Sequence, residues 1–113
     1  MQSSKRIVPS PIPAPVTHAL FKLGRDMALA RRRRRISQVS MAERAGTSVS
    51  TIRRMEHGDG NVSLVFYART LHILGALRPF EDVLDTVNDP IGAALMDEQV
   101  PKRVRQSKGP VAW

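Results

Sequence analysis

Two serine-to-glycine brackets laid end to end, Ser37 to Gly46 and Ser48 to Gly58, constrain this chain more than any other feature. A serine hydroxyl accepts from the free N–H groups that open a helix, and a glycine takes the positive φ at which a helix readily stops. The brackets therefore predict helices over 38–45 and 49–56, with a corner of about three residues between them. Met41, Ala42 and Ala45 on the first, and Ile52 and Met55 on the second, recur at i, i+3 or i+4. Each helix thus has one narrow apolar edge to bury and one edge left in water.

The wet edge of the second helix carries Ser48, Val49, Ser50, Thr51, Arg53 and Arg54. Short groups near a helix N-terminus, with guanidinium groups further along, can enter a major groove and touch bases, so the pair reads as a helix-turn-helix. Once Ile52 and Met55 are buried, Ser48, Val49, Ser50 and Arg53 are expected to face base edges, Arg53 as the guanine contact, with Thr51 supporting either role. Ser37, Gln38 and Arg54 are expected to hold phosphates, with Arg33 and Arg34 from the neighbouring arginine run. Spacing alone leaves a second reading open, a small helical hairpin whose polar edge faces water. The pattern Ser37, Gln38, Met41, Ala42, Ala45, Gly46, Ser48, Thr51, Ile52, Arg54, Met55, Glu56, Gly58 resembles, at fixed spacing, the helix-turn-helix of the Cro/C1-type (XRE) repressor family. That resemblance implies an all-α, five-helix, lambda-repressor-like domain with flexible N- and C-terminal tails.

Composition narrows the partner. The 113 residues carry 18 Lys and Arg against 10 Asp and Glu, a formal net charge of +8, which points to a polyanion. An anionic membrane is the weaker candidate, because no apolar run approaches the length of a span and no helix pairs a wide apolar face with a lysine-rich one. Ile7 and Val8 lead straight into prolines instead of an apolar signal-peptide core. A cytoplasmic, nucleoid-associated protein is the expectation. With no cysteine, disulfides, thiolate metal sites and cysteine nucleophiles are excluded. His18, His57 and His72 are isolated, and the serines at cap positions have no base placed beside them. No catalytic site, no metal site and no cofactor is expected, and the chain reads as a non-enzyme.

Taken in order, the chain divides into three segments. Residues 1–15 alternate Pro9, Pro11, Pro13 and Pro15, which predicts an extended, disordered arm, either a plain tail or one that reaches a partner. Residues 16–88 form the DNA-binding domain. In it Thr17 is expected to cap a first helix to about Arg34, with Leu20, Leu23, Met27 and Ala30 on one stripe. The run Arg31 to Arg35 closes it and suits the helix dipole, with one or two phosphate contacts at most. Ser63 is expected to cap a fourth helix to about Leu74, striped by Leu64, Tyr67, Ala68, Leu71 and Leu74. Phe66, Ile73 and Leu77 lie off that stripe. Either they form a dimer interface, or a fifth helix, 79–87 with Phe80, Val83, Leu84 and Val87, covers them. Residues 89–113 open with Asp89-Pro90 as a helix start and end in a basic tail closed by Trp113, an anchor for a partner's pocket or a chance aromatic.

A finer resemblance comes from the stretch Asn88 to Arg105, which is similar to the C-terminal part of HipB-type antitoxins, and from Trp113, which is similar to their terminal Trp. Membership would imply a homodimer on a palindromic double-stranded DNA operator upstream of its own operon, and a HipA-like Ser/Thr kinase toxin as partner. It also implies an architectural ion pair between Glu56 and Arg32 or Arg33. Val49 and Arg53 stand at positions that vary in the family, and the arginine run and proline-rich arm are not family hallmarks. A stand-alone repressor and a protein-interaction inhibitor with non-specific DNA binding are the competing readings.

Overall fold

The computed structural model describes residues 10–95 and 101–103, and among them it is all-helical. Five α-helices, α1 (Ala14–Arg33), α2 (Gln38–Ala45), α3 (Val49–Glu56), α4 (Leu64–Ile73) and α5 (Leu77–Glu81), precede two single-turn 3-10 helices, Thr86–Asn88 and Gly92–Ala94. Contacts divide the chain into two compact units, Met1–Phe80 and Glu81–Trp113, ahead of the boundary expected after Asn88.

The two serine brackets fold as their chemistry dictates. Ser37 accepts from the Ser40 N–H at 3.0 Å and Ser48 from the Thr51 N–H at 3.1 Å. Gly46, Gly58 and Gly75 all take positive φ after α2, α3 and α4. In each case the next residue donates its N–H back into the last turn, Thr47 to Ala42, Asp59 to Arg54 and Ala76 to Leu71, at 2.8 to 3.0 Å. This is the Schellman stop, which satisfies carbonyls that a helix end otherwise leaves open. Helix α1 ends the same way, with Ile36 donating to the Arg31 carbonyl at 3.1 Å, but its left-handed position is filled by Arg35 at φ 56°.

Helix α1 begins earlier than the sequence predicts. Pro13 is its N-cap and Pro15 lies in its first turn, where the missing N–H has no intrahelical partner in any case. Thr17, expected as the cap, instead donates its N–H to the Pro13 carbonyl at 3.1 Å inside the helix. Residues 1–9 of the arm lie outside the described residues.

The core is Met27, Met41, Ala42, Ala45, Ile52, Met55, Tyr67, Leu71 and Leu74, contributed by α1 to α4. Helix α3 packs on α2 and α1, and α2 also packs on α4. Gly24 explains how α1 comes so near: a Cβ there would lie 2.6 Å from the Met55 carbonyl oxygen and 2.7 Å from that of Glu56. The backbone of α1 therefore rests directly on the C-terminal turn of α3. Phe66 and Ile73 on α4 pack against the core while keeping some surface. Leu77, at the start of α5, is half-buried. The stripe expected on α4 is corrected at one position, since Leu64 is 66% exposed.

The fifth helix differs from the expectation of 79–87. It spans Leu77–Glu81 only. Beyond it Asp85 accepts from the Val87 N–H and the Asn88 amide donates to the Asp82 carbonyl, at 3.3 and 2.8 Å. Such local side-chain bonds offer the backbone an alternative to a helix. Val83, Leu84 and Val87, expected to be buried, are exposed, so no burial favours continuing. Asp89, expected as a helix N-cap, accepts from the Gly92 N–H at 2.9 Å, but the next element is a single 3-10 turn whose N-cap is Ile91 instead of an α-helix opened by Asp89-Pro90. Met96 and Trp113 lie outside the described residues.

This backbone predicts opposite outcomes for two substitutions. Gly24→Ala should lower unfolding free energy by about 1 to 3 kcal/mol, because the two backbones must part to admit a methyl group. Arg35→Gly should raise it by up to about 1 kcal/mol by relieving the left-handed penalty. Urea unfolding of the two variants beside the wild type measures both.

Candidate nucleic-acid interface

Helix α3 buries Ile52 and Met55 and holds Ser50, Arg53 and Arg54 in solvent. His57, just past its end, shares this edge, and its Nδ1 lies 2.7 Å from the Arg53 carbonyl oxygen. Val49 is half-buried and packs against the core, so less of it is available to a base than the spacing suggests. The Ser48 hydroxyl is engaged twice at the cap, by the Thr51 N–H and by the Thr51 hydroxyl at 3.0 Å. Ser37 is exposed and likewise holds its own helix start.

What orients this edge is an ion pair beneath it. Arg31 donates from Nε to Glu56 Oε2 at 2.6 Å and from Nη2 to Oε1 at 3.1 Å, and both side chains are only 9% exposed. Its remaining Nη1 donates to the Ile36 carbonyl at 2.9 Å. The pairing with Arg32 or Arg33 implied by the resemblance is thus corrected to Arg31. The signal was present in the spacing: Arg31 lies four residues after Met27, on the stripe that meets α3, whereas Arg32 and Arg33 point away from it and are exposed. Gly24 belongs to the same stripe, and a glycine inside a helical pattern is itself a sign of close approach.

Gln38, at the first position of α2, joins this pair. Its Nε2 donates to Glu56 Oε1 at 3.0 Å, and its Oε1 accepts from Arg53 Nε at 3.4 Å. Arg54 pairs with Asp59 instead of standing free, Nε to Oδ2 at 2.8 Å. That hydrogen bond, with a second from the Asn61 N–H, holds the Asp59 carboxyl below its ordinary value of 3.8, against a smaller opposing effect of burial. The Tyr67 hydroxyl donates to the Asp59 carbonyl at 2.7 Å, and burial first, then the charge on Asp59, pushes its ionisation up.

Of the arginine run, Arg31 is buried and Arg32 to Arg35 are exposed. Arg34 folds back to donate from Nη1 to the Ala30 carbonyl at 2.8 Å, closing the end of α1. An open groove of about 620 Å³ lies beside them, between α1 and the end of α3, with Arg25, Arg32 and His57 on its walls. The geometry therefore brings Gln38, Glu56, Arg31 and Arg53 into one connected set and groups Ser48 with Thr51. Cations gather along the α1–α2 turn and the outer edge of α3.

Glu56→Ala should destabilise the fold by about 3 to 5 kcal/mol, because it leaves the Arg31 guanidinium buried without its counter-charge. Arg31→Met combined with Glu56→Leu should recover most of that loss, as a chemical unfolding series would show. Asp59 contributes through its depressed carboxyl: the contribution is complete above pH 3.8 and is lost as the pH falls through the lowered value. Asp59→Asn should accordingly lower the neutral plateau of a stability–pH profile, leave its most acidic end little changed and so flatten the acid limb.

A family model described as a helix-turn-helix domain matches residues 22–82, more than half of the chain. No curated protein and no solved structure shows a significant match. The match runs from the middle of α1 to the end of α5 and takes in the whole Gln38–Arg53 edge. The chain belongs to this helix-turn-helix domain family, of the Cro/C1-type (XRE) DNA-binding kind.

Proposed function

We propose that this chain is a transcriptional repressor that reads DNA with α3 and acts as the antitoxin of a HipBA-like toxin–antitoxin module. The observation that carries the DNA-reading part is the exposed edge of Ser50, Arg53 and Arg54, braced from behind by the buried Arg31–Glu56 pair. Two copies related by a two-fold axis place their α3 helices in successive major grooves about 34 Å apart, which makes the operator pseudo-palindromic. Arg53 contacts a guanine, with Ser48, Val49, Ser50 and Thr51 lining the same groove. Ser37, Arg54, Arg33 and Arg34 hold phosphates. Phe66, Ile73 and Leu77 contribute to the dimer face, together with the neighbouring Leu64 and Val65, which are 66% and 49% exposed.

The antitoxin assignment is supported by the similarity of residues 88–105 and of Trp113 to HipB-type sequences. In this reading Trp113 docks a HipA-like Ser/Thr kinase toxin. The chain represses the operon that encodes both proteins, and a net charge of +8 speeds its encounter with DNA.

Purification of the full chain from its host, with bound proteins identified by mass spectrometry and bound DNA sequenced, tests both parts. Recovery of a kinase together with the chain's own promoter is the expected result. Promoter without kinase would reduce the function to a stand-alone repressor, and binding that ignores sequence would leave an interaction protein with non-specific affinity. Arg53→Ala should cost about 1 to 3 kcal/mol on the recovered promoter and little on scrambled DNA. Equal losses on the two duplexes, measured by titration at fixed salt, would remove Arg53 from base reading.

A further inference from the structure

We infer that Gln38 is a positioning residue for Arg53: its amide couples the buried Arg31–Glu56 pair to the exposed guanidinium of α3 and sets the angle at which that guanidinium meets a base. The inference rests on the DNA-reading role proposed for α3. It replaces the phosphate contact that the sequence suggests for Gln38.

Hydrogen-bond polarity dictates what can stand between these groups. The Glu56 carboxylate can only accept and the Arg53 guanidinium can only donate, so a group that bridges them must offer one donor and one acceptor. A side-chain amide does. Gln38 Nε2 donates to Glu56 Oε1 at 3.0 Å, and Gln38 Oε1 then faces Arg53 Nε at 3.4 Å. The reversed amide would set oxygen against carboxylate and NH2 against guanidinium, so the chemistry of the neighbours selects this orientation. Glu56 is itself immobilised by two bonds from Arg31. The chain of contacts therefore runs from a rigid buried pair outward to a long, exposed side chain.

The contact engages Arg53 through Nε. The paired Nη1 and Nη2 donors, on the far edge of the guanidinium, are the ones that match the O6 and N7 acceptors of guanine. Anchoring Nε restricts the rotamers of a flexible arm before DNA arrives, which lowers the ordering penalty of the specific contact. A phosphate contact would use the second N–H of the Gln38 amide, since the first is donated to Glu56. The two roles make different predictions, because a phosphate contact strengthens binding to every sequence and a positioned base contact strengthens binding to one.

The test uses the full chain. A binding site is first selected from random duplex DNA with the wild type, and wild type, Gln38→Met, Arg53→Ala and the double variant are then titrated on the selected and a scrambled duplex. Gln38→Met should lose about tenfold on the selected site and less than about twofold on the scrambled one. Added to Arg53→Ala it should cause no further loss. Equal loss on both duplexes, or a loss that adds in full to that of Arg53→Ala, would overturn the positioning role. Failure of the wild type to enrich any sequence would overturn the DNA reading and this inference with it. A readout without DNA separates the two: the Arg53 Nε–H resonance, protected from exchange in the wild type, should lose protection in Gln38→Met while the melting transition stays cooperative. An unchanged resonance would sink the coupling whatever the DNA result.

Discussion

Arg31 on α1 bonds both Glu56, at the end of α3, and the Ile36 carbonyl, just ahead of α2. Two opposite charges removed from water are stable only if geometry and hydrogen bonding are nearly complete, and here all three guanidinium nitrogens find acceptors. The acceptors lie at the end of α3 and in the turn that leads to α2. One side chain on α1 thereby fixes the position of both elements of the helix-turn-helix. A packed aliphatic pair could fill the same volume, but it would leave the Ile36 carbonyl and the Gln38 amide without these partners.

Around that pair the backbone is shaped by close approach. Gly24 admits the carbonyls of Met55 and Glu56 almost into contact with the axis of α1, and at Gly58 a Cβ would lie 2.8 Å from the Phe21 Cα. Two glycines, one within α1 and one just past the end of α3, thus form one crossing. Side chains at either would lift α3 off α1 and stretch the ion pair. The four Schellman stops serve a related purpose, since they end helices abruptly and keep the connections short enough for α2 and α3 to meet at their corner. Arg35 is the exception in its left-handed position, where a glycine would be less strained.

The electrostatics divide into an inner and an outer layer. Inside, charge is neutralised by Glu56. Outside, Arg32 to Arg35, Arg53 and Arg54 stand in solvent, with Arg54 partly neutralised by Asp59. Exposed cations of this kind attract a polyanion over roughly a Debye length, about 10 Å at ordinary salt, and carry no sequence preference. In the reading proposed above, sequence preference comes from groups whose orientation is held, as Gln38 holds Arg53 at Nε.

Much of the local folding is legible in the residues themselves. Ser37, Gly46, Ser48 and Gly58 set the two central helices to the residue, because a cap hydroxyl and a left-handed glycine act on bonds within a few positions of themselves. The apolar edges of α2 and α3 were equally legible from their periodicity, and so was the exposed edge of Ser50, Arg53 and Arg54. Helical rotation from Met27 singles out Arg31 among the five arginines, but the tertiary structure is what brings it against Glu56. The tertiary structure also decided that α5 stops at Glu81 and that Gln38 turns toward Glu56 and Arg53. The turn of Gln38 depends on partners distant in the chain and the end of α5 on burial that Val83, Leu84 and Val87 do not find, whereas the start of α1 at Ala14 follows a local rule, the tolerance of a first helical turn for Pro15.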